Sequence, residues 1–469
     1  MKIKTIFSTL ILGAAIAFQA AAQEDAAPKY IFYFIGDGMG VNEVLNAQLY
    51  NSRVLDKGNL SMTKLPVGSL ATSHSASSDV TDSAAAGTAL ATGHKTVNGM
   101  LGVTPDTVSV TSIAKVLFDD GYGVGLVTSV AIDDATPGAF YAHVPKRSMY
   151  REIGSQLAGS GYQFAAGSGL RGTKDKQGRD NGLLKEFAEN GVSVSYGLDG
   201  ADFTADRLLI LSPDTARNWN IGYTIDSIPG ALTLQGLTKA CISHLERVSP
   251  DKFFIMVEGG NIDHSGHSND AATNIIETIN FDRTLDIALD FYREHPDETL
   301  IVVTADHETG GMSVGNNATG YAVYPGRLSG QRLSKDAFSD FCKGIAKSRR
   351  VFTWDDMREY LTENLGFWTS KTSVTQEQTE HLREMFEDMF TRHIARPDQK
   401  TLYSDFDAFT AAVFEVFDTQ AGVNWASTKH TGSPVPVFAI GRGAEVFGNF
   451  GDNTDLPRKI LKLAGKTLD

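Results

Sequence analysis

Cysteine is nearly absent from this chain: Cys241 and Cys342 are the only two among 469 residues. That excludes a small disulfide-stapled fold and any metal site built from several thiolates. An exported chain could still bridge the pair. Cys241, however, falls in an apolar helical pattern running from Leu232 to Leu245 and equally suits burial as a small hydrophobe, so the bridge stays open. Positive charge is also short, with 42 Lys and Arg against 56 Asp and Glu and a formal net charge of −14. A nonspecific nucleic-acid binder needs a basic footprint, and none is available. Any anionic substrate must be drawn in locally, by metals or arginines, against a repulsive field. Long apolar runs are missing too, so no segment is expected to span a bilayer. The one apolar stretch, Thr5 to Phe18, lies between Lys2 and Lys4 and the small residues Ala20-Ala21-Ala22-Gln23. That arrangement is expected to be a secretory signal peptide covering residues 1–22, leaving a soluble periplasmic or secreted product. No cysteine near the cut supports a lipid anchor, and no internal repeat is visible.

What is present is a recurring grammar of short apolar runs that end in acidic residues. Tyr30 to Ile35 ends in Gly36-Asp37-Gly38, and Val124 to Val127 leads to Asp133-Asp134-Ala135-Thr136. Phe253 to Val257 ends in Glu258, and Leu300 to Val303 in Thr304-Ala305-Asp306-His307. Runs of this length, rich in Ile, Val and Phe, read as strands buried on both faces. Helical patterns lie between them, Ala271 to Tyr292 being the longest. Alternation of this kind predicts an α/β fold: a doubly wound, largely parallel sheet with helices on both faces. Val435 to Ile440 is a further strand candidate and Leu208 to Leu211 a weaker one. From about 322 to 424 buried-strand runs vanish, and amphipathic helices are expected over Trp354–Leu365, Val374–Ile394 and Phe406–Phe417. The mature chain, 23–469, thus reads as one catalytic domain with a helical insertion. That insertion could cover the site's mouth, form contacts in a homodimer, or merely decorate the fold.

Two Asp/His clusters concentrate the chemistry. Glu258-Gly-Gly-Asn-Ile-Asp263-His264-Ser-Gly-His267 follows one apolar run and Asp306-His307 another. Carboxylates and imidazoles at the carboxyl ends of parallel strands sit where open α/β sheets place ligands. Aspartate oxygen mixed with histidine nitrogen, without cysteine, suits zinc in a catalytic site. A third element, Thr81-Asp82-Ser83-Ala84-Ala85-Ala86-Gly87, is expected to open a helix capped by Asp82 or Ser83. Ser83 would then stand where backbone N–H groups favour an anion.

Taken in order, Asp37-Gly38-Met39-Gly40, Asp82-Ser83-Ala84-Ala85, Asp134-Ala135-Thr136-Pro137, Glu258-x4-Asp263-x3-His267, Asp306-His307 and His430-Thr431-Gly432 resemble bacterial alkaline phosphatases. The motifs span nearly the whole mature chain, and the ordered set is far more specific than any one of them. The resemblance implies that Asp263, His267 and His430 hold one zinc and Asp37, Asp306 and His307 a second. Asp37 would also bridge to a magnesium held by Asp134, Thr136 and Glu258. Ser83 would be the nucleophile and Arg147 the phosphate clamp, with Lys146 and Arg151 as neighbours that a register shift would select instead. The activity implied is hydrolysis of phosphate monoesters through a phosphoserine intermediate.

A phosphodiesterase-type relative or a non-catalytic zinc- or phosphate-binding protein are the alternatives. Sulfatases of this architecture need a Pro and an Arg shortly after the nucleophile, and Ser83-Ala84-Ala85-Ala86 has neither. A mere scavenger would need neither the nucleophile nor the third-site ligands. His430 precedes its nearest strand candidate, so it is expected to arrive from a loop. His264 stands where better-known bacterial relatives carry lysine, which implies a neutral group next to bound phosphate and a weaker hold on it.

Overall fold

The computed structural model of the chain describes residues 27–213, 219–348, 351–392 and 397–468, so the signal peptide expected at 1–22 lies outside the described residues. In chain order the strands are β1 (Tyr30–Gly36), β2 (Val67–Thr72), β3 (Gly123–Thr128), β4 (Phe164–Gly167), β5 (Ser193–Tyr196), β6 (Leu208–Leu211), β7 (Phe253–Glu258) and β8 (Thr299–Ala305). They continue with β9 (Glu308–Thr309), β10 (Pro397–Lys400), β11 (Asp405–Asp407), β12 (His430–Thr431), β13 (Val435–Gly441) and β14 (Gly451–Asp452). Ten of these form one sheet in the order β14-β2-β13-β8-β1-β7-β3-β4-β6-β5. The predicted α/β sheet is therefore present and largely parallel. Its four central strands β8, β1, β7 and β3 are the apolar runs seen in the sequence, and each is buried along its whole length.

One strand runs against the rest. β13 lies between β8 and β2 and is antiparallel to both. Helices flank the sheet, with Ala271–Glu294 packed on β1 and β8 and Leu234–Val248 on β3, β4 and β7. The second of these helices approaches β3 closely because Gly125 has no side chain: a Cβ there would lie 2.3 Å from Cys241 Sγ. Cys241 and Cys342 are both buried and both free thiols, which settles the open disulfide question in favour of small core residues.

Between β9 and β12 the chain turns helical, as expected. Trp354–Leu365 matches its predicted bounds and starts with a Thr353/Asp356 capping box. The helix expected over Val374–Ile394 is Gln376–Phe386, and its last turns widen into a π-helical segment, Glu387–Thr391. The last predicted helix is Ala408–Ala421, starting two residues late because Asp407 caps it. These helices share an aromatic core, in which Phe341 stacks on Tyr360 at 3.9 Å and 4°. Among the described residues no helix is long and apolar enough to cross a membrane.

Candidate active site

Parallel strands deliver the site. Asp37 follows β1, Glu258 ends β7 and Asp306-His307 follow β8, all at the same edge of the sheet. Asp37 can turn there because Gly38 adopts φ +74°, and a Cβ on Gly38 would come within 2.8 Å of both Asp263 Cα and Thr309 Oγ1. The Gly38 N–H donates to Asp306 Oδ1 at 3.1 Å, tying the ends of β1 and β8 together. Asp263 and His267 lie four residues apart on the helix Asn261–Ser268, so one turn presents both to the same side. His430 does not hang from a free loop. It sits on β12, a two-residue strand paired with β9 so that His430 faces Thr309 and Thr431 faces Glu308. That short ladder brings the distant residue beside His307, their rings stacked with centroids 3.5 Å apart.

Ser83 is the first residue of the helix Ser83–Thr92, which is buried throughout. Asp82, not Ser83, is the cap: its carboxylate accepts from Ala85 N at 3.0 Å. The serine hydroxyl is thereby left free of capping and stands 3.2 Å from His307 Nε2. Gly87 lets this helix lie against the Asp134 loop, since a Cβ there would sit 3.2 Å from Thr136 Cα.

Three groups of donor atoms converge. In the first, His267 Nε2 lies 3.0 Å from His430 Nε2, 3.3 Å from Asp263 Oδ1, and His430 Nε2 lies 3.5 Å from Asp263 Oδ1. Both imidazoles meet backbone carbonyls at Nδ1, His267 at Thr428 O (2.6 Å) and His430 at Thr81 O (2.8 Å). Nδ1–H must donate there, so both Nε2 atoms present lone pairs to each other. Two lone pairs at that distance repel unless a cation lies among them. In the second group, His307 Nε2 is 3.2 Å from Asp306 Oδ2 and 3.4 Å from Asp37 Oδ1. Thr309 donates its hydroxyl hydrogen to Asp263 Oδ1 (2.5 Å), so His307 Nδ1–H must donate to Thr309 Oγ1 (3.2 Å). The His307 Nε2 lone pair is thus fixed toward the two carboxylates. Burial, with His430 next to it, keeps the His307 imidazole neutral well below its ordinary range.

The third group is all oxygen. Thr136 Oγ1 stands 3.3 Å from Asp37 Oδ2, and Glu258 takes the Thr128 hydroxyl hydrogen bond. Burial, with Asp306, Asp263 and Glu258 nearby, pushes Asp37 well above the usual carboxylate range. Burial, with Asp263 beside it, raises Asp306 to about 7. Burial, with Asp134 and Asp306 nearby, raises Glu258 to about 8. The buried Asp37 Oδ1 and Asp306 Oδ2 have no hydrogen-bond partner among the described residues. Acids packed this way are costly without positive charge, so the donor set fits divalent cations.

Arg147 donates to Asp82 Oδ2 and Asp134 Oδ1, both at 3.2 Å, which anchors its guanidinium to the residue that precedes Ser83. Arg151 is turned away and pairs with Glu186 at 2.7 Å. Asp134 is also held by Arg171 at 3.0 Å and by Ala135 N at 2.8 Å. Its oxygens thus pair with two arginines. His264 is buried against the ring of Tyr403, which reaches in from the β10–β11 hairpin and donates to Asp263 Oδ2 at 3.1 Å. Arg171, Thr128, Thr309 and Tyr403 are not among the residues that the sequence motifs single out. Thr309 alone carried a signal: it lies two residues beyond His307, hence on the same side of an extended segment.

The alkaline phosphatase sequence profile matches residues 28–167 and 216–466. Alkaline phosphatase 4 of Bacillus subtilis is 27% identical over 95% of this chain and 90% of its own. Alkaline phosphatase 3 of the same organism is 28% identical over 97% and 94%. Among solved structures, a cold-active alkaline phosphatase from a psychrophilic Shewanella species aligns with a TM-score of 0.75 at 26% identity, covering 92% of this chain and 99% of that one. The Thermus thermophilus alkaline phosphatase shares the fold with a TM-score of 0.76 at 24% identity, covering 95% and 93%. The profile spans both ends of the site, from Asp37 to His430, and the fold agrees from end to end: the chain belongs to the alkaline phosphatase family.

Proposed function

We propose that this chain is an exported phosphomonoesterase that works through a phosphoseryl intermediate on Ser83. The observation that carries the reading is the Ser83 hydroxyl, free of its helix cap and 3.2 Å from the His307 Nε2 lone pair, with Arg147 anchored alongside. Asp263, His267 and His430 would hold one zinc, and Asp37, Asp306 and His307 a second. Asp37, Asp134, Thr136 and Glu258 would hold magnesium. When bound, the ions make serine deprotonation feasible and offset charge on the attacking and leaving oxygens.

The chain's own residues do the rest. Ser83 Oγ loses its proton and forms a bond to phosphorus while the ester P–O bond opposite it breaks, and the alcohol leaves with a proton. Arg147 offers two parallel N–H donors to the phosphoryl oxygens as this happens. Water then bonds to phosphorus from the vacated side, the Ser83 Oγ–P bond breaks, and Ser83 regains its hydrogen. His264 contributes no charge to holding the released phosphate. Residues 322–424 read as an insertion that roofs the site through Tyr403, and residues 1–22 as its export signal.

The test is turnover of p-nitrophenyl phosphate against bis(p-nitrophenyl) phosphate, followed by acid trapping with labelled phosphate. Monoester preference and label on Ser83 are expected. Ser83→Ala should lower kcat by roughly 10³-fold or more while zinc still binds. Label on Thr81 or Thr88, or preference for the diester, would overturn the reading.

A further inference from the structure

A cavity of about 740 Å³ opens against His267 and His430 on the outside of the site. If Ser83 attacks beside His307, in-line displacement sends the alcohol away on the opposite side, toward Asp263, His267 and His430. That is where the cavity lies. Lys400 from the β10–β11 hairpin and Lys429 from the segment before β12 both line it, and among the described residues no Asp or Glu does. Both lysines are exposed. In a chain of formal charge −14 this is a local reversal of sign, placed next to the catalytic groups. The remaining wall includes apolar surface, Leu402 at 60% and Val80 at 37% exposure, that a carbon skeleton can cover.

We infer that this cavity receives the alcohol portion of the substrate and selects phosphate monoesters whose alcohol carries a second anionic group, a phosphate or a carboxylate. The inference rests on the Ser83 reading above. Lysine suits such a role, because its ammonium is a flexible point charge that takes an anion without demanding one planar geometry. A chain built this way hydrolyses many monoesters and favours doubly anionic ones.

The test uses a matched pair, butane-1,4-diol monophosphate and bisphosphate, with the metal-loaded enzyme at low ionic strength. After halving for the two equivalent ends, wild-type kcat/KM should favour the bisphosphate about 3- to 10-fold, the range two solvated charge pairs supply. Lys400→Gln with Lys429→Gln should bring the corrected ratio near unity, and about 0.5 M salt should do the same to the wild type through screening. Lys400→Arg with Lys429→Arg should keep the preference. A wild-type ratio at or below unity, or a preference that survives the glutamine pair, overturns the inference. If p-nitrophenyl phosphate itself is not hydrolysed, the Ser83 reading has failed and the inference falls with it.

Discussion

The imidazole of His264 lies on the ring of Tyr403, centroids 3.7 Å apart and planes tilted by 35°. The same tyrosine donates its hydroxyl hydrogen to Asp263 Oδ2, so one side chain from the β10–β11 hairpin touches both the candidate metal ligand Asp263 and its neighbour His264. Tyr403→Phe keeps the ring contact and removes only that donor. Metal affinity at the Asp263, His267 and His430 group should fall about tenfold, the usual cost of losing a hydrogen bond to a ligand. Competition with a chromophoric chelator measures it, and an unchanged release curve would show that Tyr403 only packs.

Burial lowers His264 to about 4, so it is neutral from weakly acidic pH upward. His264→Lys should place a charge beside the proposed phosphate site. Inhibition by inorganic phosphate should tighten roughly tenfold, as a new charge-assisted hydrogen bond of about 1.5 kcal/mol would give, and the pH optimum should fall. Unchanged inhibition constants and pH profile would mean that His264 has no part in phosphate handling.

Arg147 and Arg151 are four residues apart and differ completely in partners. Arg147→Ala should cost about 1.5–3 kcal/mol in kcat/KM through lost charged hydrogen bonds. Arg151→Ala breaks a partly exposed pair with Glu186 and should leave kcat/KM nearly intact. The reverse ranking, read from steady-state kinetics of the two variants, would shift the proposed clamp from Arg147 to Arg151.

Away from the candidate active site, Asp282 accepts the Ser61 and Met62 N–H groups at 2.8 Å each, and burial raises it to about 6. A carboxyl raised in the folded state holds its proton longer than the unfolded chain does, so its contribution to stability is lost as pH climbs from about 4 to about 6. Relative to Asp282→Asn, the wild type should lose about 2–3 kcal/mol across that window. Parallel denaturant curves for the two proteins at several pH values check this; parallel trends would exclude it.

The central strands were legible because β1, β3, β7 and β8 are buried on both faces and so read as unbroken apolar runs. β2 was not, since Val67 to Leu70 alternate between half-buried and exposed positions and only Ala71 is buried, in the weakly apolar run Val-Gly-Ser-Leu-Ala-Thr. β4 is four residues of Phe-Ala-Ala-Gly, buried but too short and too small-sided to announce itself. Site residues that belong to motifs at strand ends were visible because their chemistry is unusual in such places. Arg171 and Tyr403 reach the site only through tertiary contact, and nothing local marks an exposed-type arginine or a hairpin tyrosine. The path of His430 was half visible: its residue type pointed to the site, but the pairing of β12 with β9 needs both strands at once.

The antiparallel β13 has a consequence for synthesis. It fills the gap between β8 and β2, two strands completed about 130 and 360 residues earlier in the chain. A ribosome-bound chain therefore carries two unsatisfied sheet edges until almost its last segment emerges, and His430 arrives only just before β13 closes them. The pairing of His267 with His430 can therefore form only after nearly the whole chain has been made. A chain ending anywhere before residue 435 would lack the closing strand and present open edges to its neighbours.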